Sequence, residues 1–157
     1  IYNKGKKFIF IMTIETDVAK YCKALEENFK NHSIDMFTRN IEEERFPENN
    51  SYYKEQLEEI LNGSANLYKW AYDIGKKYYK VYNMQYEKPI ENYRKGGYRK
   101  GSVTAFIDKN TGEVYKPASW KAPHTKHVRF DLRNPKDREF LLDSKNTDWS
   151  GGHLYLR

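Results

Sequence analysis

The sequence has little cysteine, no long apolar run and none of the short phosphate or dinucleotide motifs, and each shortage removes a class of protein. A single cysteine, Cys22, cannot form an internal disulfide. Nothing therefore ties the chain to an oxidising compartment, and a reducing cytoplasm is the expected setting. The apolar run FIFIM at 8–12 is too short for a signal-peptide core and far too short for a membrane span, so no membrane role is expected. No P-loop, dinucleotide fingerprint or Ser-His-Asp arrangement is present.

What is present is aromatic and charged. Hydrophobic residues make up 38% of the chain and charged residues 32%, yet aromatics reach 16%, including 14 tyrosines. That aromatic content excludes a disordered chain and points to a small, aromatic-rich core. At 157 residues one domain is expected, long enough to fold without metals or disulfides. Met12 followed by TIETD reads as a start, so residues 1–11 are expected to be a non-native upstream extension. The single domain would then be 12–157, with a helical part at 13–74 and a sheet part at 76–157.

Charge is unevenly spread. Residues 12–72 carry a net −5 and 73–130 a net +8, so a surface facing a polyanion belongs in the second segment.

Periodicity supplies the elements. After a Thr13 cap, Ile14, Val18, Cys22, Leu25 and Phe29 recur at steps of three and four, which predicts an amphipathic helix with Cys22 as a core thiol. NIEEERFPENN is a polar connection whose Glu42, Glu43 and Glu44 form a solvated face. Helical spacing resumes from Ser51 through Leu57, Ile60, Leu61, Leu67, Ala71 and Ile74, as one helix or as two split at Asn62–Gly63, with Gly75 as the stop. The period then changes: Tyr78, Lys80, Tyr82, Met84 and Tyr86 alternate with Tyr79, Val81, Asn83 and Gln85, a strand signal.

KPIENYRKGGYRKG is expected to be a flexible basic loop. SVTAFIDKNTGEVYKP is expected to be a hairpin: Val103, Ala105 and Ile107 face one way, and Asp108 to Gly112 make a turn with glycine at a positive φ. Pro117 stops the ladder. Trp120 in the following PASWKAP is either an anchor on the sheet or an exposed stacking platform. LYLR is a candidate closing strand. Together these give an α+β fold, N-terminal amphipathic helices followed by a small antiparallel sheet with a central hairpin.

GSVTAFIDKNTGEVYKPASWKAP, with IGKKYYKV before it and DWSGGHLYLR after it, resembles a group of small uncharacterised proteins encoded by tailed bacteriophages and environmental viral genomes. The resemblance rests on T-G-x-V-Y-K-P-A-S-W-K and covers about residues 74–157. It implies a viral origin and an α+β arrangement, and it implies no activity and no catalytic residue.

Three chemistries compete for the basic segment. His124 and His127 are i, i+3 neighbours, but a metal site needs three or four ligands, and Cys22, His32 and His153 lack ligand spacing. No metal and no cofactor are expected. A metal-free nuclease would use His127 as base, with Lys121, Arg129 or Tyr115 on the developing phosphorane charge. The third possibility uses the interleaving of bases with aromatics in KKYYKVY, NYRKGGYRKG and VYKPASWK, a composition suited to single-stranded or structured nucleic acid. The residues expected to carry it are Lys76, Lys77, Arg94, Lys95, Tyr98, Arg99, Lys100, Lys116, Lys121, Lys126, His127 and Arg129. Alternate tyrosines could equally be core with solubilising lysines beside them. An acidic protein partner, met by a virion component or by an inhibitor of a host enzyme, is the alternative from another class. Nucleic acid binding by a virus-encoded accessory protein, in the host cytoplasm or the virion, is the leading expectation.

Overall fold

A computed structural model describes residues 4–155 of the chain, with side chains described at 5–6 and 13–155. Its elements follow the order helix, helix, sheet, helix. The first helix, α1 (Lys4–Glu42), is a single 39-residue element. The predicted stripe is real: Ile14, Val18, Cys22 and Leu25 are buried, Phe29 packs beside them, and Tyr21 joins them. Thr13 is not a cap, because the helix runs through it from Lys4. The expectation that residues 1–11 are an extension falls partly outside the described residues, at 1–3; the backbone from Lys4 onward is helical.

A single 3-10 turn (Pro47–Asn49) leads into α2 (Asn50–Asn62). Gly63 ends it in the left-handed conformation, φ 82°, with its N–H on the Glu59 and Ile60 carbonyls. The predicted helix does not continue to Ile74. Residues Lys69–Ile74 form strand β1 instead. The spacing of Leu67, Ala71 and Ile74 was coincidental. The alternation of Tyr68, Trp70 and Tyr72 prevailed, because aromatic side chains suit a half-buried pleat and Trp70 becomes core. Gly75 accordingly closes a strand turn, its N–H donating to the Tyr78 carbonyl at 2.9 Å, rather than a helix.

Strands β2 (Tyr78–Glu87), β3 (Gly97–Asp108), β4 (Glu113–Tyr115) and β5 (Phe130–Asp131) complete an antiparallel meander in the order β1-β2-β3-β4-β5. The fold is α+β, as expected. The 102–108 and 113–115 hairpin is present. Gly112 sits at φ 78°, and the buried Asp108 carboxylate accepts from the Asn110 and Thr111 N–H groups. DKNTG is thus an Asx turn.

The end of the basic loop is strand: Gly97, Tyr98, Arg99 and Lys100 pair with Glu87, Tyr86, Gln85 and Met84. Extending two long strands into a ribbon satisfies their backbone groups, which a loop would leave to water. Only 88–96 remains a turn region, pinned by the Ile90–Arg94 bridge. Of LYLR, the described residues Leu154 and Tyr155 form no strand. Gly152–Leu154 is a 3-10 turn whose Leu154 is buried, and the last two residues lie outside the described chain.

The register separates two faces. One packs on α1: Trp70, Tyr79, Val81, Ala105, Ile107 and Val114 meet the α1 stripe, with Leu132, Leu141 and Leu154 closing the core. Burying an aliphatic or aromatic side chain this fully contributes about 1.5–3 kcal/mol each. The C-terminal segment is fastened to α1 by polar ties. The Asp17 carboxylate, side chain 3% exposed, takes two bonds at 2.8 and 2.9 Å from Arg138 on α3 (Pro135–Leu141). Asn28 donates to the Ser144 carbonyl and accepts from the Trp149 N–H.

His153 accepts at Nδ1 from the Asp148 N–H, which leaves Nε2 facing the Tyr21 hydroxyl at 2.6 Å and Thr147 at 3.2 Å. Burial pushes its pKa down to about 4. At the sheet's open edge, Glu26 of α1 accepts the Trp70 N–H of β1 at 3.0 Å.

Candidate functional site

Strand alternation decides which of the basic residues can act together. Tyr82 shares a sheet face with Lys69, Asp73, Tyr78, Lys80, Met84, Tyr86, Tyr98, Lys100, Phe106 and Tyr115, the face turned away from α1. On it, ammonium groups stand over aromatic rings. Lys100 Nζ is 4.7 Å from the Tyr82 centroid, Lys69 Nζ 4.4 Å from Tyr98, and Lys80 Nζ 4.1 Å from Trp120. Lys77, in the turn, lies 5.4 Å from Tyr78.

Phe106 and Tyr82 are buried within this face, while Tyr78, Met84, Tyr86, Tyr98 and Tyr115 are half-buried. Tyr79 is core and its neighbours Tyr78 and Tyr82 are not on the core side.

The segment after β4 folds back as a hooked turn. Pro117 bridges Pro123, and the Ala118 and Ser119 N–H groups both reach the Ala122 carbonyl. This lays Trp120 against Tyr82, ring centroids 5.9 Å apart, with Lys80 on it. Trp120 is half-buried, an anchor that keeps part of its surface in water.

Asp73 tempers the charge of this face. It accepts from Lys100 at 2.8 Å and from the Tyr82 hydroxyl at 3.0 Å. The Lys100 bond holds the Asp73 carboxyl below the usual carboxylate range and raises the lysine in turn. Burial, followed by donation to Asp73, raises Tyr82. At the other end Tyr115 donates to Glu113 at 3.0 Å, and burial first, then that bond, pushes it up to about 12.

The remaining sequence-derived candidates scatter. Arg99 lies on the opposite face and binds Glu87 at 2.6 Å. Arg94 meets the same carboxylate at 3.7 Å and donates to the Lys88 carbonyl. Lys95 and Lys76 are exposed in turns. Lys116 is on the helix side, over the Tyr155 ring at 4.2 Å. Lys121, Lys126 and His127 are exposed on the hooked segment, and Arg129 is half-buried there, its Nε unpartnered.

Among the described residues no hydrogen bond or ion pair joins His127 to another side chain, and Tyr115 is spoken for by Glu113. Among those residues, too, no group of three or more His, Cys, Asp or Glu is placed to hold a metal ion, and no helix is long and apolar enough to cross a membrane. Cys22 is buried, and burial pushes its thiol up to about 12, an unreactive core group.

Sequence reasoning missed Lys69 and Lys80. Lys69 lay inside a predicted helix. Lys80 was visible in the alternation but was not separated by face from its neighbours Lys76 and Lys77. No curated protein and no solved structure matches the chain. A family model does, over residues 3–156, and the chain therefore belongs to that family, a family of unknown function (DUF7717).

Proposed function

We propose that the protein binds single-stranded nucleic acid across the sheet face turned away from α1. The observation that carries this is the pairing of lysine ammonium groups with aromatic rings on that face: Lys69 with Tyr98, Lys100 with Tyr82, and Lys80 with Trp120. Ammonium groups neutralise phosphates and release counterions, and the half-buried rings of Tyr98 and Trp120 offer faces on which unpaired bases stack at about 1–3 kcal/mol each, while Tyr82 is buried. A β-sheet offers both at a spacing of about 6.6 Å along one strand face, close to the stride of an extended single strand. Duplex is the weaker ligand here, because its bases are already stacked on one another and unavailable to the aromatic rings. A viral accessory role rests on the resemblance alone and belongs to the same proposal.

The test is a titration with a fluorescent oligonucleotide of about ten nucleotides at several salt concentrations. The logarithm of affinity should fall linearly with the logarithm of salt, by roughly 0.7 per phosphate contact. Lys69→Gln, Lys80→Gln and Lys100→Gln together should lower that slope by about 1.4, the share of Lys69 and Lys80, since Lys100 already faces Asp73. Arg94→Gln with Arg99→Gln should change it less, since both arginines already face Glu87. A folded wild type with no binding at about 50 mM salt would reject the interface and favour an acidic protein partner. Cleavage of the oligonucleotide, abolished by His127→Ala and indifferent to chelator, would instead make the protein a nuclease.

A further inference from the structure

We infer that a cavity on the helix side of the sheet, bounded by the far ends of β2 and β3 and by the C-terminal turn, is a binding site for a single nucleotide, its base held by Asn83 and Gln85 and its phosphate by Lys116. The cavity measures about 310 Å³, at the lower end of the range of about 300–1,000 Å³ for small-molecule sites. Its walls include the rings of Tyr68, Trp149 and Tyr155, with Asn83, Gln85 and Lys116 on the same lining.

The two amides have fixed orientations. The Ser102 N–H can only donate, and it donates to Asn83 Oδ1 at 2.9 Å. Gln85 Nε2 donates to the same oxygen at 3.2 Å. Asn83 Nδ2 and Gln85 Oε1 are left without a partner among the described residues.

Asn83 is 6% exposed overall, and that remaining exposure reaches its Nδ2, so the free donor opens onto the cavity rather than into packed protein. A free donor beside a free acceptor is the complement of a nucleobase edge, on which an acceptor and a donor stand side by side. Gly101 makes the pair possible, since a Cβ there would collide with Asn83 Oδ1 and with Gln85 Nε2. Lys116 Nζ, held 4.2 Å from the Tyr155 centroid, brings the positive charge a phosphate needs. The site lies across the sheet from the lysine–aromatic face, so either can fail without the other.

The experiment is a calorimetric titration of the full chain with AMP, GMP, CMP and UMP, and with adenosine, alongside NMR shifts of the Gly101 and Ser102 amides. Saturable binding of at least one nucleotide below about 1 mM is expected, with shifts at both amides. Gln85→Met should weaken it about tenfold, the loss of one base-edge bond. Lys116→Gln should weaken AMP by a similar factor and leave adenosine unchanged.

A 5′-phosphorylated pentanucleotide separates the two sources of this chemistry. Binding about tenfold tighter than AMP through the same amides assigns a strand end; equal or weaker binding assigns a free nucleotide. No saturable binding by folded wild type up to about 5 mM would overturn the site, as would affinities that Gln85→Met and Lys116→Gln leave unchanged. Should Gln85→Met fail to fold, the contrast between AMP and adenosine in Lys116→Gln decides alone.

Discussion

The two faces of the sheet come from the same alternating strands and follow different chemistry. Toward α1 the residues are Val81, Ala105, Ile107 and Val114, with aromatic rings that are fully enclosed. Away from α1 they are tyrosines and lysines that mostly keep contact with water around the buried Tyr82 and Phe106, bonded to one another and to Asp73. The first face is held by exclusion of water. The second is held by polar and cation–aromatic contacts, several of them reached by water. One strand can thus carry a packed apolar side and a wetted polar side at once, because period-two alternation keeps the two apart.

The largest expected effect is on the packed side. Arg138→Ala would leave the Asp17 carboxylate enclosed without its two hydrogen bonds, and stability in urea should fall by about 4 kcal/mol, the usual consequence of orphaning a buried charge. A loss below about 1 kcal/mol would mean that water reaches Asp17 and that the packed side is less dry than described.

Next is a direct contrast of the faces. Ile107→Ala should cost about 3 kcal/mol, and Met84→Ala on the other face well under half of that. Equal costs would erase the distinction.

Acid sharpens the same contrast through His153. Its pKa of about 4 in the folded chain lies below the ordinary 6.5, so the unfolded chain takes up the proton first. The stability this contributes is complete above about pH 6.5, declines as pH falls, and is gone at about pH 4, a loss of roughly 3 kcal/mol. His153→Gln should remove that part of the pH dependence, read as the difference between wild-type and variant denaturation midpoints from pH 7 to pH 4.

The smallest effect belongs to the wet face. Replacing Lys69, Lys80 and Lys100 with Gln should move the melting temperature by no more than a few degrees, because cation–aromatic contacts at exposed sites contribute about 0.5–1 kcal/mol each and the aliphatic stems remain. A collapse of the fold would show that these lysines are structural and would weaken the case for a ligand.

Much of the fold was legible because it is local. The α1 stripe, the β2 alternation and the Asp108–Gly112 turn are each set by neighbours within a few residues. Where two local signals overlapped, at Leu67–Ile74, the helical spacing of the aliphatics misled, and the aromatic alternation of Tyr68, Trp70 and Tyr72 was right. The segment 88–100 misled in another way. Glycines and charges describe a loop by composition, and 88–96 is one, yet pairing with β2 begins β3 already at Gly97.

The polar ties were illegible for a plainer reason. Asp17 and Arg138 are 121 positions apart, and Tyr21 and His153 are 132 apart, and no spacing rule reaches that far. Of the candidate site, Tyr98 and Lys100 were found and Lys69 and Lys80 were not, since composition finds basic residues but only the register assigns them to a face. The Asn83 and Gln85 pair carried one faint signal, two amides two residues apart in a strand.

The bond from the Trp70 N–H to Glu26 bears on a matter of cellular traffic. β1 is the border of the sheet, and a bare border is a template on which any extended chain can lie down and begin a fibre. By reaching around from α1, Glu26 occupies the Trp70 donor with a carboxylate. A visiting strand would have to displace it and then accommodate its charge. The helix that builds the core thus also covers part of the sheet's flank, at the donor that Glu26 occupies.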